Sequence, residues 1–271
     1  MATAALEPGD RSVSIGRVFS RAFGTIAANP VTTLGIGFLF GAVPSLVATY
    51  AIRNVQADTF AALGGAGAIG IGLFSLLVTI LLGIIAQGVL VRVTVAFSDG
   101  RKASLGDSAL AGLRVALPLF LLGVLSAIGI AVGLIAVVVP GVILYLMWSV
   151  AAPSLVEERL GPIEALGRSS YLTKGARWKI FALMLVVLVV YWMVSGLVTA
   201  LTIAWYGDFA AVAASAANGP SLVQLAINSI VGTIYSAVSG VIPPALYVEL
   251  RDWKDGPGAA KLEWLLDSRW R

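Results

Sequence analysis

The sequence predicts an all-α, polytopic membrane protein: six transmembrane helices in three hairpins, each hairpin preceded by an amphipathic helix in the cytoplasmic interface. Three observations predict it. Of 271 residues, 59% are apolar and only 12% charged, with a mean hydropathy of +0.95, whereas soluble domains carry roughly 25% charged residues. Several uncharged stretches are long enough to cross about 30 Å of hydrocarbon, which takes roughly 20 helical residues. Finally, 17 of the 18 Lys and Arg residues fall on one side of a chain threaded in this way.

The first span is expected from Val31 to Ile52, closed by Arg53, and the second from Ile69 to Val91, closed by Arg92. Between Arg114 and Glu157 lie 42 uncharged residues, about 63 Å as helix and therefore two crossings. Pro140-Gly141 is the expected reversal, because Pro lacks the donor that continues a helix and Gly tolerates a tight turn. That places span three at Val115–Val138 and span four at Val142–Leu155. Span five follows at Ile180–Tyr206 and span six at Leu222–Val248. Lipid offers no partner to a bare backbone amide, so the crossings are expected to be helical throughout. Pro44, Pro118, Pro153, Pro243 and Pro244 should kink or end helices locally. The domain reading is residues 1–30 as an N-terminus with an interfacial helix, 31–250 as the six-span domain, and 251–271 as a tail with a short amphipathic helix.

Ahead of the first span, Ile15, Val18, Phe19, Ala22, Phe23 and Ile26 recur at helical spacing, with Ser14, Arg17, Ser20, Arg21 and Thr25 opposite. This is the pattern of a helix lying in the interface with its arginines toward anionic headgroups. Leu105–Arg114 and Pro162–Leu172 read the same way before spans three and five, giving three helix-plus-hairpin units that begin near residues 14, 104 and 162. In the tail, Leu262, Leu265 and Leu266 share a face, and Trp253, Trp264 and Trp270 suit the headgroup level. The excess of Lys and Arg in the N-terminal segment, in the loops after spans two and four and in the tail puts both termini in the cytoplasm. Residues 1–10 hold no apolar h-region, so no cleaved signal peptide is expected.

Chemistry is constrained mainly by absence. The sequence has no Cys and no His, which removes disulfides, thiolate metal sites, Cys nucleophiles and the usual general base. No cofactor or metal is expected, and no hydrolase motif or intramembrane carboxylate pair occurs. The glycine-rich stretch from Gly64 to Gly72 lacks the helix and Lys of a phosphate-cradling loop. The pI near 9.5 reflects the positive-inside bias, so nucleic acid is not an expected partner. The few polar residues at depth include Gln87, Gln224 and Asn228, read as helix-packing or cavity-lining groups. Gly37 with Gly41 and Gly129 with Gly133 permit close helix contact, within a compact monomer or in a homo-oligomer.

One stretch carries a resemblance. Pro140-Gly141, Pro153, the run Glu158-Arg159-Leu160-Gly161-Pro162-Ile163-Glu164-Ala165-Leu166-Gly167-Arg168-Ser169, then Leu172-Thr173-Lys174-Gly175 and Trp178, resemble the signature of the membrane domain attached to some bacterial glycerophosphodiester phosphodiesterases, a domain shared by stand-alone inner-membrane proteins. Tyr247-Val248-Glu249-Leu250-Arg251 and Gly256 are similar to that family's ending. The resemblance implies an all-helical, six-span bacterial inner-membrane domain. The phosphodiesterase activity does not follow, because that catalytic domain depends on histidines and acidic metal ligands.

The functional expectation is a non-enzymatic module that binds or organises phospholipid, or scaffolds a protein partner. Headgroup contacts are expected from Arg168, Lys174, Arg177 and Lys179, the densest basic patch, with Arg17 and Arg21 assisting. The alternative is a passive or weakly coupled transporter of lipid-like or apolar molecules, with Gln87 and Asn228 lining a cavity between hairpins.

Overall fold

A computed structural model describes residues 13–44, 83–100, 115–208 and 221–256, together with positions 46, 70, 73 and 80. Among these residues the chain is helical, with no strand. In chain order the elements are α1 (Ile15–Ala28), α2 (Pro30–Gly37), which continues as a π-helical turn Phe38–Ala42, α3 (Gly83–Ser98), α4 (Ala116–Ala136), α5 (Val138–Met147), α6 (Ala151–Glu158), α7 (Pro162–Thr173), α8 (Arg177–Tyr206) and α9 (Leu222–Asp255). Four stretches are long and apolar enough to cross a membrane: α4, α5 with α6, α8 and α9. The pair α1 and α2, bent by 99° at Asn29, makes a fifth if counted as one broken span. The outer parts of predicted spans one and two, the helix expected at 105–114 and tail residues 257–271 lie outside the described residues.

Prolines set several of the boundaries. Pro30 and Pro162 stand at the first position of α2 and α7, and Pro118, Pro140 and Pro153 at the third position of α4, α5 and α6. The first turn of a helix has no use for those N–H groups, so Pro is at home there. This corrects the expected reversal between spans three and four. The chain turns at Val137, whose backbone is extended (φ −163°, ψ 143°), and Pro140-Gly141 already belongs to α5. Gly141 serves instead as the contact point of the hairpin, since a Cβ on Gly133 would lie 3.0 Å from its Cα. Nor does span four run unbroken, because turn residues Trp148–Val150 separate α5 from α6. Pro243 and Pro244, by contrast, do not end α9, which runs through them for 34 residues.

Charge closes a span without closing its helix. α3 passes Arg92 and continues to Ser98, and α9 passes Val248 and continues to Asp255. These extensions carry much of the core: Val91, Val93 and Val95 of α3, with Leu246, Tyr247 and Leu250 of α9, are essentially inaccessible. Around them pack α1, through Val18 and Ala22, α6 through Leu155 and Val156, α7 through Ala165 and Leu172, and the foot of α8 through Ile180 and Leu183.

Beyond this layer the helices stand with bare apolar flanks, as lipid-facing helices do. α8 shows it most clearly, with Val186, Val189, Trp192, Met193, Leu197 and Leu201 all exposed. Gly37, Gly129 and Gly133 are used within the chain. A Cβ on Gly37 would come 2.5 Å from the carbonyl of Thr233 in α9, and one on Gly129 would strike the Trp148 ring.

Candidate functional site

At the basic end of the molecule, cations on several elements converge on a carboxylate stripe of α9. Glu249, Asp252 and Asp255 recur every three residues and so share one helix face. Arg17 and Arg21 of α1, four apart, form the matching stripe. Arg17 donates from Nε to Glu249 Oε1 at 2.8 Å and approaches it with a terminal nitrogen at 2.7 Å. Arg21 donates to Asp252 at 3.2 Å. Glu249 is only 4% exposed, and it also accepts the backbone N–H of Ser14, the N-cap residue of α1, at 3.1 Å. One buried carboxylate thus neutralises a guanidinium and satisfies a donor at a helix entrance. Lys179, at the foot of α8, donates to the Val13 carbonyl at 3.0 Å and ties a third element to this point.

Arg168 on α7 is the second node. Its Nε donates to both oxygens of Glu158 at 2.8 Å, and a terminal nitrogen reaches Asp255 at 2.5 Å. Burial works against the guanidinium charge, but the bonds to Asp255 and Glu158 outweigh it and hold its pKa above the ordinary value. Tyr247 donates its hydroxyl to Glu158 at 2.9 Å. Arg92 stands 3.8 Å from Glu157 and Arg251 3.8 Å from Asp99, which brings α3 into the same mesh. Lys254 lies over the rings of Trp253 and Tyr171, at 4.5 and 5.4 Å.

Three predicted headgroup cations, Arg17, Arg21 and Arg168, therefore meet carboxylates of this chain, and Lys179 meets a carbonyl. Lys174 and Arg177 differ. Among the described residues neither has an acidic partner, and the Nε of Arg177 is buried with no hydrogen-bond acceptor. They flank Gly175, whose positive φ of 92° would strain any side chain and whose Cβ position lies 3.2 Å from the Trp253 ring. Next to them Trp178 is 84% exposed. Of the two further exposed indoles of α8, Trp192 lies midway and Trp205 stands 27 residues beyond Trp178, about 40 Å along the axis. That spacing matches a bilayer with its headgroup layers, where Trp gathers at both faces.

The polar residues at depth separate into two places. Gln224 donates to Asn228 at 3.0 Å and accepts from Thr202 of α8 at 3.1 Å, a contact that joins α8 to α9. Gln87 lines a cavity of ≈ 290 Å³ between α3, α4 and the break after α5, and Asn228 is not among the residues lining it. The break is held from outside: Ser169 of α7 donates to the Met147 carbonyl at 2.7 Å and accepts from Val150 N–H at 3.3 Å. No group of three or more His, Cys, Asp or Glu stands ready for a metal among the described residues.

The carboxylate stripe escaped sequence reasoning, although the spacing of three between Glu249, Asp252 and Asp255 signals it. Its pairing with the spacing of four on α1 has no local signal, because nothing local says that these distant segments meet. Comparison with protein-family models, with curated proteins and with solved structures finds no match.

Proposed function

We propose that the protein is a non-enzymatic module of the bacterial inner membrane, with both termini cytoplasmic, that engages anionic phospholipid headgroups at the foot of α8. The observation that carries this reading is the division among the cations. Those on α1 and α7 are matched by carboxylates of the chain itself, whereas Lys174 and Arg177 have no acidic partner among the described residues. They lie within four residues of the exposed Trp178, an indole suited to the headgroup layer. A guanidinium grips phosphate through paired donors, and an ammonium adds a mobile point charge. The likeness of residues 140–181 and 247–256 to the membrane domain attached to glycerophosphodiester phosphodiesterases suits such a module and brings no activity with it.

The test is native mass spectrometry of the purified protein with its retained lipids identified. Cations near a membrane surface contribute about 1 kcal/mol each, so Lys174→Gln with Arg177→Gln should weaken retention of phosphatidylglycerol or cardiolipin roughly thirtyfold. Equal retention by the double variant would overturn the reading.

A further inference from the structure

The cavity beside the break between α5 and α6 shares no lining residue with the carboxylate mesh and has a chemistry of its own. Its walls are apolar, formed by residues such as Ile84, Leu119, Leu122 and Trp148, and two polar side chains, Gln87 and Ser126, line it. Neither has a side-chain hydrogen bond to any other described residue. A Ser or Thr in a helix often returns its hydroxyl to the carbonyl one turn back, as Thr94 and Ser154 do in this molecule, and Ser126 keeps its hydroxyl free for the cavity instead. Ser126 stands ten residues into α4, about 15 Å along its axis, and Gln87 five residues before Arg92 on α3. With α3 taken as the inner part of a span, as the sequence predicts, both are at hydrocarbon depth, where water is scarce and unmet polar groups are costly.

We infer that this cavity binds a neutral, chain-bearing molecule with a hydroxyl or ester carbonyl, the class of long-chain alcohols and acyl esters, with Gln87 and Ser126 holding the polar group. The amide both donates and accepts, and the hydroxyl does the same, so the pair reads a neutral oxygen without requiring charge. No charged residue lines the cavity, which disfavours a carboxylate in such a setting. A volume of ≈ 290 Å³ falls at the small end of ligand pockets, near 300 Å³, and accommodates a polar group with part of one chain rather than a whole phospholipid. The site is independent of the headgroup proposal, and either stands if the other fails.

The experiment uses the full chain in phosphatidylcholine nanodiscs and a long-chain primary alcohol carrying a mid-chain diazirine, with crosslinks mapped by peptide mass spectrometry. Saturable labelling of α3, α4 and the residues around Trp148 is expected, displaced by unlabelled alcohol and only weakly by the matching alkane or ionised fatty acid. Gln87→Leu and Ser126→Ala should each lower affinity about fivefold, the worth of one neutral hydrogen bond. Gly123 also lines the cavity, and a Cβ there would meet nothing within 4 Å. Gly123→Phe therefore adds a ring at the cavity wall with no clash at its Cβ, and should abolish labelling at an unchanged melting temperature, whatever the polar variants do to folding. Labelling that survives Gly123→Phe, that spreads evenly over the exposed flank of α8, or that the alkane displaces as well as the alcohol, would overturn the assignment.

Discussion

Glu249 shows how far a single side chain's role depends on what the fold brings to it. In the sequence it is one acid after an apolar span; in the structure it is buried and accepts from Arg17 and from the entrance of α1. Removing one partner of a buried pair leaves a charge unmatched, so Glu249→Ala should cost about 3 kcal/mol or more, read as a lowered unfolding midpoint in detergent. Glu164→Ala should cost only about 1 kcal/mol, because it removes one capping contact, the exposed bond from Gly161 N–H at 3.0 Å. Comparable losses in the two variants would contradict the central place given to Glu249. The residue types of the basic end were legible in the sequence, as an excess of Lys and Arg with interleaved aromatics. Which cations are matched within the chain was not, because Arg17 and Glu249 lie 232 residues apart and only tertiary packing pairs them.

Among the elements, the apolar spans were the most legible feature, and their ends the least. Hydropathy located α4, α8 and α9, since the absence of charge is what crossing a membrane demands. It could not mark where α3 and α9 stop, because a helix ends when its backbone partners run out, not when a charge appears. The same distinction explains the Pro140-Gly141 turn that was expected and is not found: Pro is tolerated in a helix's first turn, and Gly141 is needed for the approach of α4 to α5. Contacts of this kind give a paired test. Gly37→Ala would force a Cβ against the Thr233 carbonyl of α9 and should destabilise by about 1–3 kcal/mol. Gly196→Ala, in open space on α8, should be neutral or stabilise by up to about 1 kcal/mol. A destabilisation of similar size at both positions would mean that α2 does not approach α9 as closely as described.

For the whole molecule, the charged mesh gathers residues of α1, α3, α6, α7, α8 and α9 at one end, while α2, α4 and α5 carry no Asp, Glu, Lys or Arg. The proposed positive-inside arrangement would place that mesh in the cytoplasm, and the absence of Cys makes the prediction direct to check. With single cysteines replacing Ile163 on α7 and Asp208 beyond α8, a membrane-impermeant maleimide applied to intact cells should label only position 208. Labelling of position 163 would invert the orientation. The proposed function rests on a further division at this end, between cations that hold the fold together and cations that meet lipid. Thermal unfolding in detergent, with and without added phosphatidylglycerol, measures both on one scale. Arg168→Gln should lower the melting temperature without lipid and keep the increment that lipid adds, whereas Lys174→Gln with Arg177→Gln should keep the first and lose the second. If the double variant retained the full lipid increment, or Arg168→Gln alone removed it, the headgroup site would not be where the unmatched cations stand.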